Sequence, residues 1–508
     1  MGKWSAGLVA VFSPFNILIL VFGGFFGIVF GLLPGLGPMA ALAAALPFTL
    51  KMPAVTGVIF LASVFCTCGA SDAIPSILIS TPGGPHSVAL TWDGNALTKQ
   101  GKGAYSLGLA TGSGVIGIIT GWILLVFSSA IIVSLSMYFG PAEYAALALM
   151  GLVFIGGETT KLGIAKSVLM GFFGLLLSAI GLDDLSGVAR YNFGISYLDD
   201  GVPLMAVVIG IFALSEAFLT ICQKPLIAFQ RISANAMRAG EDLAKWNFNR
   251  GFADCLRYFD TLLRSLGIGS LYGVLPAVGP AGANVVAYYV ERGAKKGVPF
   301  GTGNPRGVIA PEVARGSCSM LDMLTTFGLG IPGSAHGAIF LSAIILYGIE
   351  PGTRFFSSAG VLPYALYLSF PISVFVYLVI LKFASPYFMK VIQLPPQIVA
   401  TGILIFGLTG VLVSRGYIED VAIACVFGLM GLFFKRYNLP SSSLVLGLVI
   451  GQIFEVQFRR GMLIGGWMYF ISRPVAIALF LITVFLGYWV LRSGSGDDLM
   501  NGKGGESA

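Results

Sequence analysis

Apolar stretches long enough to cross a bilayer recur from one end of this sequence to the other. Runs with at most one charged residue occupy residues 15–33, 115–139, 202–222, 362–383 and 475–491. A helix needs roughly 20 apolar residues to span the hydrocarbon core of a membrane. Only 10% of the 508 residues are charged, against about 25% in an average water-soluble domain. The sequence therefore predicts an all-α polytopic membrane protein, since a membrane β-barrel would show short strands of alternating hydrophobicity.

The few charges carry a modest positive excess, because 30 Lys and Arg oppose 23 Asp and Glu for a net charge of +7. Basic loop residues orient a polytopic protein in its membrane. The chain shows no basic, aromatic-rich soluble domain, so we expect membrane lipids and no nucleic acid as partners. The apolar run after Lys3 lacks a small-residue cleavage pattern, which favours a first span over a signal peptide. Cys66 and Cys68 form the only close cysteine pair, which favours helix packing over a metal site.

The longest polar stretch between spans covers residues 223–264 and divides the chain into halves. It holds two basic trios at seven-residue spacing, which are Arg231, Arg238, Lys245 and Arg250, Arg257, Arg264. Seven residues make about two helical turns, so each trio shares one helix face. With its aromatic residues, the stretch predicts an amphipathic helix along the headgroups on the cytoplasmic side. We expect transmembrane repeats over 1–222 and 265–492, this basic connector between them, and a disordered tail over 493–508.

The two halves repeat their glycine and proline breaks in the same order. GLLPGLGPMAA, residues 31–41, matches GVLPAVGPAGA, residues 273–283, at an offset of 242. PGGPH at 82–86 matches PGSAH at 332–336 at an offset of 250, which aligns the only two histidines. Two weaker matches follow, of PAEY with PQIV and of IGIFALSEAF with IGQIFEVQF.

Internal repeats broken at corresponding positions are typical of secondary transporters. We expect two repeats of about 5–6 spans each, with broken or re-entrant helix hairpins. If each half holds an odd number of spans, the repeats are inverted in the membrane, and we favour that arrangement.

Each break predicts a half-helix that begins inside the membrane. The breaks, which we call tips, cover residues 34–38, 82–85, 276–280 and 332–334. Exposed backbone groups must be buried in protein or line a wet cavity. Proline suits a first helical turn, glycine allows close approach, and the free N–H groups of a helix start attract anions. The alternative is kinked helices with close glycine packing.

The residues at and beside the tips are therefore candidates for substrate binding. Hydroxyl, imidazole and amide groups there either bind carboxylates or satisfy freed backbone groups. The candidates are Pro34, Gly35, Gly37, Ser80, Thr81, Pro82, Gly83, Gly84, His86, Pro276, Gly279, Asn284, Pro332, Gly333, Ser334 and His336, with Thr325 and Thr326 beside them.

Each half has one aspartate ten residues before the proline of a tip. Asp72 precedes Pro82, and Asp322 precedes Pro332. Ionisable groups in membrane segments are costly and usually functional. They either couple the transport of Na⁺ or a proton, or cap the adjacent broken helix.

Other chemistry finds no support in the sequence. There is no GxxxxGK[ST] phosphate loop, and the glycine-rich stretch 301–307 is interpreted as an ordinary loop. No HExxH, GxSxG or metal-ligand spacing occurs, so we expect no enzyme, no cofactor and no bound catalytic metal. Moving one net negative charge against 100 mV costs roughly 2.3 kcal/mol. An ion gradient across the membrane is therefore the remaining energy source for transport.

Four stretches resemble the large membrane subunit of the tripartite tricarboxylate transporters. They are GLLPGLGP, ILISTPGGPHSVALTWDGNALTKQGKGAYSLGLA, GVLPAVGPAGANVVAYYVERGAKKGVPFGTGNPRGVIAPEVA and LGIPGSAHGAIFLSAIILYGIEPG. The resemblance covers about residues 15 to 460. It implies a cation-coupled carrier for small carboxylates in a bacterial inner membrane. It also implies two partners, a small four-span membrane subunit and a periplasmic binding protein that delivers substrate.

The sequence departs from that family pattern at several positions. Ala277 replaces a glycine of the third tip, and Arg306 stands where the family tends to have an acidic residue. The runs 68–75 and 312–317 also differ, and they bring in Asp72 and Arg315. Arg315 either contributes a charge to an anion or faces a polar loop. Citrate is therefore not assumed as the substrate.

Together these patterns predict a secondary active importer of di- or tricarboxylates, driven by Na⁺ or H⁺. A passive anion channel, with a continuous polar pore, is one alternative. A membrane-embedded enzyme is another. An elevator-like movement of the part that carries the tips is suggested only by analogy with other transporter folds.

Overall fold

Helices account for nearly all regular structure in the computed structural model of the chain. It describes residues 2–33, 35–136, 139–154, 161–183, 185–222, 248–275, 279–294, 296–349, 351–352, 355–392 and 396–493. Seven helices in this part are long and apolar enough to cross a membrane. The strands found there are the paired dipeptides Gly181–Leu182 and Ala189–Arg190. The predicted all-α polytopic class is confirmed.

The helices of the first half are numbered here as far as the connector. They are α1 (Gly2–Val11), α2 (Pro14–Leu32), α3 (Pro38–Thr49), α4 (Ala54–Ser71), α5 (Ala73–Ile79), α6 (Leu90–Lys99), α7 (Gly103–Ser136), α8 (Pro141–Phe154), α9 (Lys161–Ser178), α10 (Leu204–Val208) and α11 (Ser215–Cys222). A π-helical segment, Ile209–Leu214, joins α10 to α11 without a break.

The numbering continues through the connector and the second half. These helices are α12 (Phe248–Asp254), α13 (Phe259–Val274), α14 (Gly279–Gly293), α15 (Arg306–Gly328), α16 (Ala335–Leu346), α17 (Phe355–Ser358), α18 (Leu362–Ile392), α19 (Pro396–Arg415), α20 (Ile418–Arg436), α21 (Ser441–Ile471) and α22 (Pro474–Ser493).

Proline and capping residues set the helix boundaries as their chemistry predicts. α2 starts at Pro14, and the Ser13 side chain accepts a hydrogen bond from the Asn16 N–H. Because proline lacks an N–H, it costs nothing at a first turn whose N–H groups have no intrahelical partner. α3 also starts at a proline, Pro38, although Gly37 before it supplies no side-chain cap. The breaks predicted from glycine and proline are therefore real helix boundaries.

The two halves build one helix pair in the same manner. A Cβ added at Gly27 of α2 would lie 2.6 Å from the Val64 carbonyl of α4. A Cβ added at Gly269 of α13 would lie 2.3 Å from the Ala314 carbonyl of α15. The two glycines are 242 positions apart, and the two residues with the facing carbonyls are 250 positions apart. These are the offsets that separate the repeated sequence motifs. Both pairs pack closely because glycine lets the backbones approach. The inverted orientation of the repeats stays a prediction.

Helices from the two halves also pack across each other. α4 of the first half contacts α18 of the second, and α15 of the second contacts α7 of the first. Likewise α9 contacts α21, and α20 contacts the π-helical segment. The halves therefore share one interior, and residues far apart in sequence meet there.

The connector is described only from Phe248 onward, so the trio at 231, 238 and 245 and the tail from 494 lie outside the described residues. α12 packs on α7, where a Cβ added at Gly251 would lie 2.4 Å from the Tyr105 carbonyl. Arg250 and Arg257 are 72% and 78% exposed and flank Asp254. A 3-10 turn over Cys255–Tyr258 then breaks the helix. The second trio therefore does not lie on one continuous helix, although the described part is amphipathic.

Candidate functional site

The tips of both halves meet at one cavity of about 670 Å³. Every tip contributes to its lining, although Pro34 and Pro276 lie outside the described residues. The residues from the tips are Gly35, Gly37, Pro38, Pro85, His86, Gly279, Pro280, Ser334 and His336. The chain positions of these residues span about 300 residues, so the cavity exists only in the folded protein.

Four of the described helices begin at this cavity, and three of them follow a predicted tip. These three are α3, α14 and α16, whose first residues Pro38, Gly279 and Ala335 line the wall. The second tip differs, because it starts only the 3-10 turn Pro85–Ser87 before α6 begins at Leu90. The fourth helix start is that of α21, which the motifs did not predict. Each helix N-terminus carries roughly half a positive elementary charge, so the cavity favours anions.

The tips contact each other closely within each half. A Cβ added at Gly37 would lie 2.9 Å from the Gly84 Cα. In the second half, a Cβ added at Gly279 would lie 3.2 Å from the Ser334 Cβ. The Gly35 N–H also donates to the Pro82 carbonyl over 3.3 Å, with Gly35 at a φ of 83°. Glycine is therefore required here both for left-handed backbone and for close approach.

The rings of the two histidines contact each other at the cavity wall, tilted by 54°. Their ring centroids are 4.6 Å apart, and the residues are 4% and 2% exposed. The Ser334 hydroxyl lies 3.3 Å from His336 Nδ1. His86 Nδ1 and His336 Nε2 have no hydrogen-bond partner among the described residues. Buried polar atoms in native proteins are normally paired, so these nitrogens are available to a ligand or water.

A buried ion pair lies behind the histidines. Arg315 and the two histidine rings line a narrow gap in the interior. The Arg315 guanidinium contacts the Glu312 carboxylate at 2.7 Å, and both side chains are at least 96% buried. Arg315 is an interior residue of α15, so the expectation that it faces a polar loop is wrong. Its charge lies beside the tips and is balanced locally by Glu312.

The two predicted carboxyl groups occupy equivalent positions under the tips. A Cβ added at Gly83 would lie 2.7 Å from the Asp72 Cβ, and one at Gly333 would lie 2.2 Å from Asp322 Oδ1. Asp72 makes no side-chain cap for α5. Asp322 accepts a hydrogen bond from the Ser334 hydroxyl. Both Asp72 oxygens and Asp322 Oδ1 have no hydrogen-bond partner among the described residues.

Several other candidates lie away from the cavity lining. Ser80 is exposed, with a φ of 57°. Asn284 is buried and accepts a hydrogen bond from the Ala89 N–H over 3.4 Å. The remaining residues that form the tips without lining the cavity are Thr81, Pro82, Gly83, Gly84, Pro332 and Gly333. Thr325 and Thr326 donate to the Asp322 carbonyl, as hydroxyls that satisfy backbone groups do.

Sequence reasoning missed a second part of the cavity wall. That wall carries Trp92, Tyr289, the ion-paired Glu216 and Lys435, and the start of α21 at Ser441, Ser442 and Ser443. Pro440 before a serine run is a helix-start signal that could have been found. The pairing of Glu216 with Lys435, 219 positions later, leaves no local signal.

The glycine-rich loop predicted at 301–307 has a structural role near the site. The N–H groups of Gly301, Gly303 and Asn304 donate to Asp93 Oδ1 at 2.9, 2.8 and 2.7 Å. The Tyr288 hydroxyl donates to the other carboxylate oxygen at 2.9 Å. Asp93 belongs to the first half and the loop to the second, so this cluster joins the halves beside the second and third tips.

The chain matches a family model described as the tripartite tricarboxylate transporter TctA family over residues 17–446. It is 27% identical over 482 residues to a protein of Agrobacterium vitis described as an uncharacterized 52.8 kDa protein in the TAR-I ttuC' 3' region. That alignment covers 94% of this chain and 93% of the relative. A second protein of that organism, described as uncharacterized in the TAR-II ttuC' 3' region, is 30% identical over 214 residues, 42% of this chain and 88% of its own length.

No solved structure matches the chain. The family match covers both halves and all four tips that meet at the cavity. This protein therefore belongs to the tripartite tricarboxylate transporter TctA family.

Proposed function

We propose that this chain is the membrane subunit of a secondary active transporter that imports di- or tricarboxylates across the bacterial inner membrane. The observation that carries the proposal is the convergence on one cavity of four helix starts in the described residues and two buried histidines, each with one ring nitrogen that has no partner there. Carboxylates accept hydrogen bonds from free N–H groups, and helix starts supply such groups together with partial positive charge.

Electrostatic balance supports an anionic substrate. The charged residues among the described lining residues are Glu216 and Lys435, whose formal charges cancel. The remaining field comes from the helix starts, which are positive, so a carboxylate enters a cavity that favours it. The cavity is partly enclosed by protein, so water screens this field less than it does at an open surface.

We propose Na⁺ or H⁺ as the coupled ion, with Asp322 as the primary site. Its unpaired Oδ1 and the Thr325 hydroxyl both lie next to Gly333. A Cβ added at Gly333 would lie 2.2 Å from the Oδ1 and 2.6 Å from the hydroxyl. The corresponding position in the first half is Pro75, which carries no oxygen in its side chain. The richer set of oxygens therefore surrounds Asp322.

The cation site predicts different outcomes for the two carboxyl groups. We expect Asp322→Asn to raise the Na⁺ concentration for half-maximal uptake by about tenfold or to abolish the ion dependence. Asp72→Asn serves as the matched control and changes the Na⁺ dependence less. Uptake by proteoliposomes under separate Na⁺ and pH gradients measures both. An unchanged ion dependence in Asp322→Asn contradicts the assignment of this residue.

The family describes tripartite systems, so further subunits take part in transport. We propose that they are a small four-span membrane subunit and a periplasmic binding protein that delivers the carboxylate. The complete system is reconstituted in liposomes, and uptake of labelled succinate and citrate is measured with and without the binding protein. Saturable uptake that depends on an ion gradient supports the proposal. Uptake that rises linearly with concentration and needs no gradient indicates a passive channel instead.

A further inference from the structure

An ion pair in the described part of the chain lines the cavity on helices that carry neither histidine. Lys435 Nζ lies 2.5 Å from Glu216 Oε1, and the two side chains are 29% and 20% exposed. Glu216 is on α11 and Lys435 is in the last turn of α20. Both residues line the cavity into which the tips project.

The surroundings make this corner a place for negative charge. A cation is stabilised at the end of a helix, where Lys435 stands. The next helix, α21, begins a few residues later, and its first residues Ser441, Ser442 and Ser443 line the same cavity. Lysine and a helix start therefore act together on whatever anion lies between them. In this structure that anion is the Glu216 carboxylate.

We propose that Lys435 binds a second carboxylate of the substrate and that Glu216 occupies this position while the cavity is empty. The inference rests on the proposed function, because it assumes that a carboxylate already binds at the tips. A substrate with two or more carboxylates reaches from the tips to Lys435 and replaces Glu216 there. A monocarboxylate binds at the tips alone and leaves the ion pair intact.

Exchange of one carboxylate for another keeps a negative partner on Lys435. Breaking a partly buried ion pair without a replacement leaves an uncompensated charge, which is strongly unfavourable. A substrate carboxylate avoids that cost at Lys435, whereas a neutral or apolar group in the same position does not. The exchange also leaves the Glu216 carboxylate in the cavity without its lysine partner. Binding of a cation together with the substrate therefore becomes more favourable. Lys435 and Glu216 therefore determine selectivity for substrates with several carboxylates.

The test compares uptake of labelled succinate and citrate by proteoliposomes, with butyrate as the competing monocarboxylate. We expect Lys435→Gln to raise the apparent KM for succinate and citrate by about tenfold or more, the size of one charge-assisted hydrogen bond. Inhibition by butyrate changes little, and Lys435→Arg keeps most of the affinity. Glu216→Gln lowers the KM for succinate, because the internal competitor is gone. Lys51→Gln, an exposed lysine away from the cavity, is the matched charge control.

The double variant Glu216→Gln/Lys435→Gln separates binding from folding. It leaves no unpaired charge, so its thermal stability stays near that of the wild type even if a single variant unfolds. We expect it to lose the preference for succinate and citrate over butyrate. A double variant that keeps this preference overturns the inference. If the wild-type system takes up neither succinate nor citrate, the proposed function itself fails, and the two failures are thus distinguished.

Discussion

At the scale of single residues, the histidines gain their significance from their shared position. His86 and His336 are 250 positions apart, yet their ring centroids lie 4.6 Å apart beside three helix starts. Each has one ring nitrogen without a hydrogen-bond partner among the described residues. An imidazole N–H pointed at a carboxylate adds a directed hydrogen bond that backbone groups alone do not supply.

Replacement of these histidines tests their contact with substrate. We expect His86→Ala and His336→Ala each to raise the apparent KM for succinate by about five- to tenfold, because one hydrogen bond to a charged group is lost. Uptake by proteoliposomes at a fixed Na⁺ gradient is the measurement. Thr81→Ala, which alters a hydroxyl outside the cavity lining, is the control and keeps the wild-type KM. Equal KM values in all three variants would remove the histidines from the site.

At the scale of elements, the tips depend on backbone contact between neighbouring hairpins. Gly37 and Gly84 approach so closely that a Cβ added at Gly37 would lie only 2.9 Å from the Gly84 Cα. Gly35 has open space for a Cβ but a φ of 83°. Two glycines in one tip are thus needed for different physical reasons, close approach at one and left-handed backbone at the other.

This difference predicts unequal effects of alanine in the first tip. Gly37→Ala forces the hairpins apart, at a cost of about 1–3 kcal/mol, and reshapes the cavity wall. Gly35→Ala keeps the contact and costs about 1 kcal/mol for its backbone conformation. We therefore expect Gly37→Ala to lower both the thermal midpoint and the succinate uptake more than Gly35→Ala does. The idea of a close contact is wrong if the order is reversed.

A cluster of charges joins α13, α14 and α15 at their ends. Asp260 accepts hydrogen bonds from Arg306 and Lys296 at 2.9 and 2.8 Å. The buried Glu291 carboxylate pairs with Arg264 and Arg306 at 2.8 and 2.9 Å. Arg306, which departs from the family pattern, therefore belongs to this cluster and does not line the cavity.

The cluster predicts a pH dependence of stability. Hydrogen bonds from Arg306 and Lys296 lower the pKa of the Asp260 carboxyl well below its usual value near 4. Because the unfolded chain has the higher pKa, the ionised carboxylate stabilises the fold at neutral pH. That contribution shrinks as the pH falls below about 4 and is lost once the pH passes the folded pKa. Thermal midpoints of the wild type and Asp260→Asn should differ at pH 7 and converge in acid. A gap that widens in acid contradicts this assignment.

At the scale of the whole molecule, the halves are held together by contacts that cross between them. Asp93 is the clearest, since its carboxylate accepts three N–H groups and one hydroxyl from the second half. A Cβ at Gly307 would lie 2.2 Å from Asp93 Oδ2, and one at Gly57 would lie 1.8 Å from the Tyr347 hydroxyl. These two glycines are 250 positions apart, the offset of the repeated motifs. At equivalent positions, each half therefore has a glycine that makes room for a side chain of the other half.

Loss of the Asp93 carboxylate should therefore weaken the whole assembly of helices. We expect Asp93→Ala to cost at least about 3 kcal/mol, because several buried donors lose their acceptor. The measurement is the thermal midpoint in detergent, with Asp199→Ala, in the 3-10 turn Ser196–Asp200 away from the cluster, as the control. A midpoint shift no larger than that of the control would mean that the loop at 301–304 is held by other contacts.

The amino-acid sequence by itself determined the class of the protein and the location of its breaks. Apolar length decides what crosses a membrane, and glycine and proline act on the backbone at their own positions, so both effects are local. Repetition of the motifs at offsets of 242 and 250 was also readable, and glycine contacts between helices recur at the same offsets.

Only the tertiary structure decided which ends meet and what faces them. Three contacts depend on packing: His86 with His336, Glu216 with Lys435, and the buried Arg315 with Glu312. A sequence pattern reports which face of an element is apolar but carries no distance between elements. The second wall of the cavity was therefore missed, because helices far apart in the chain create it when they pack together.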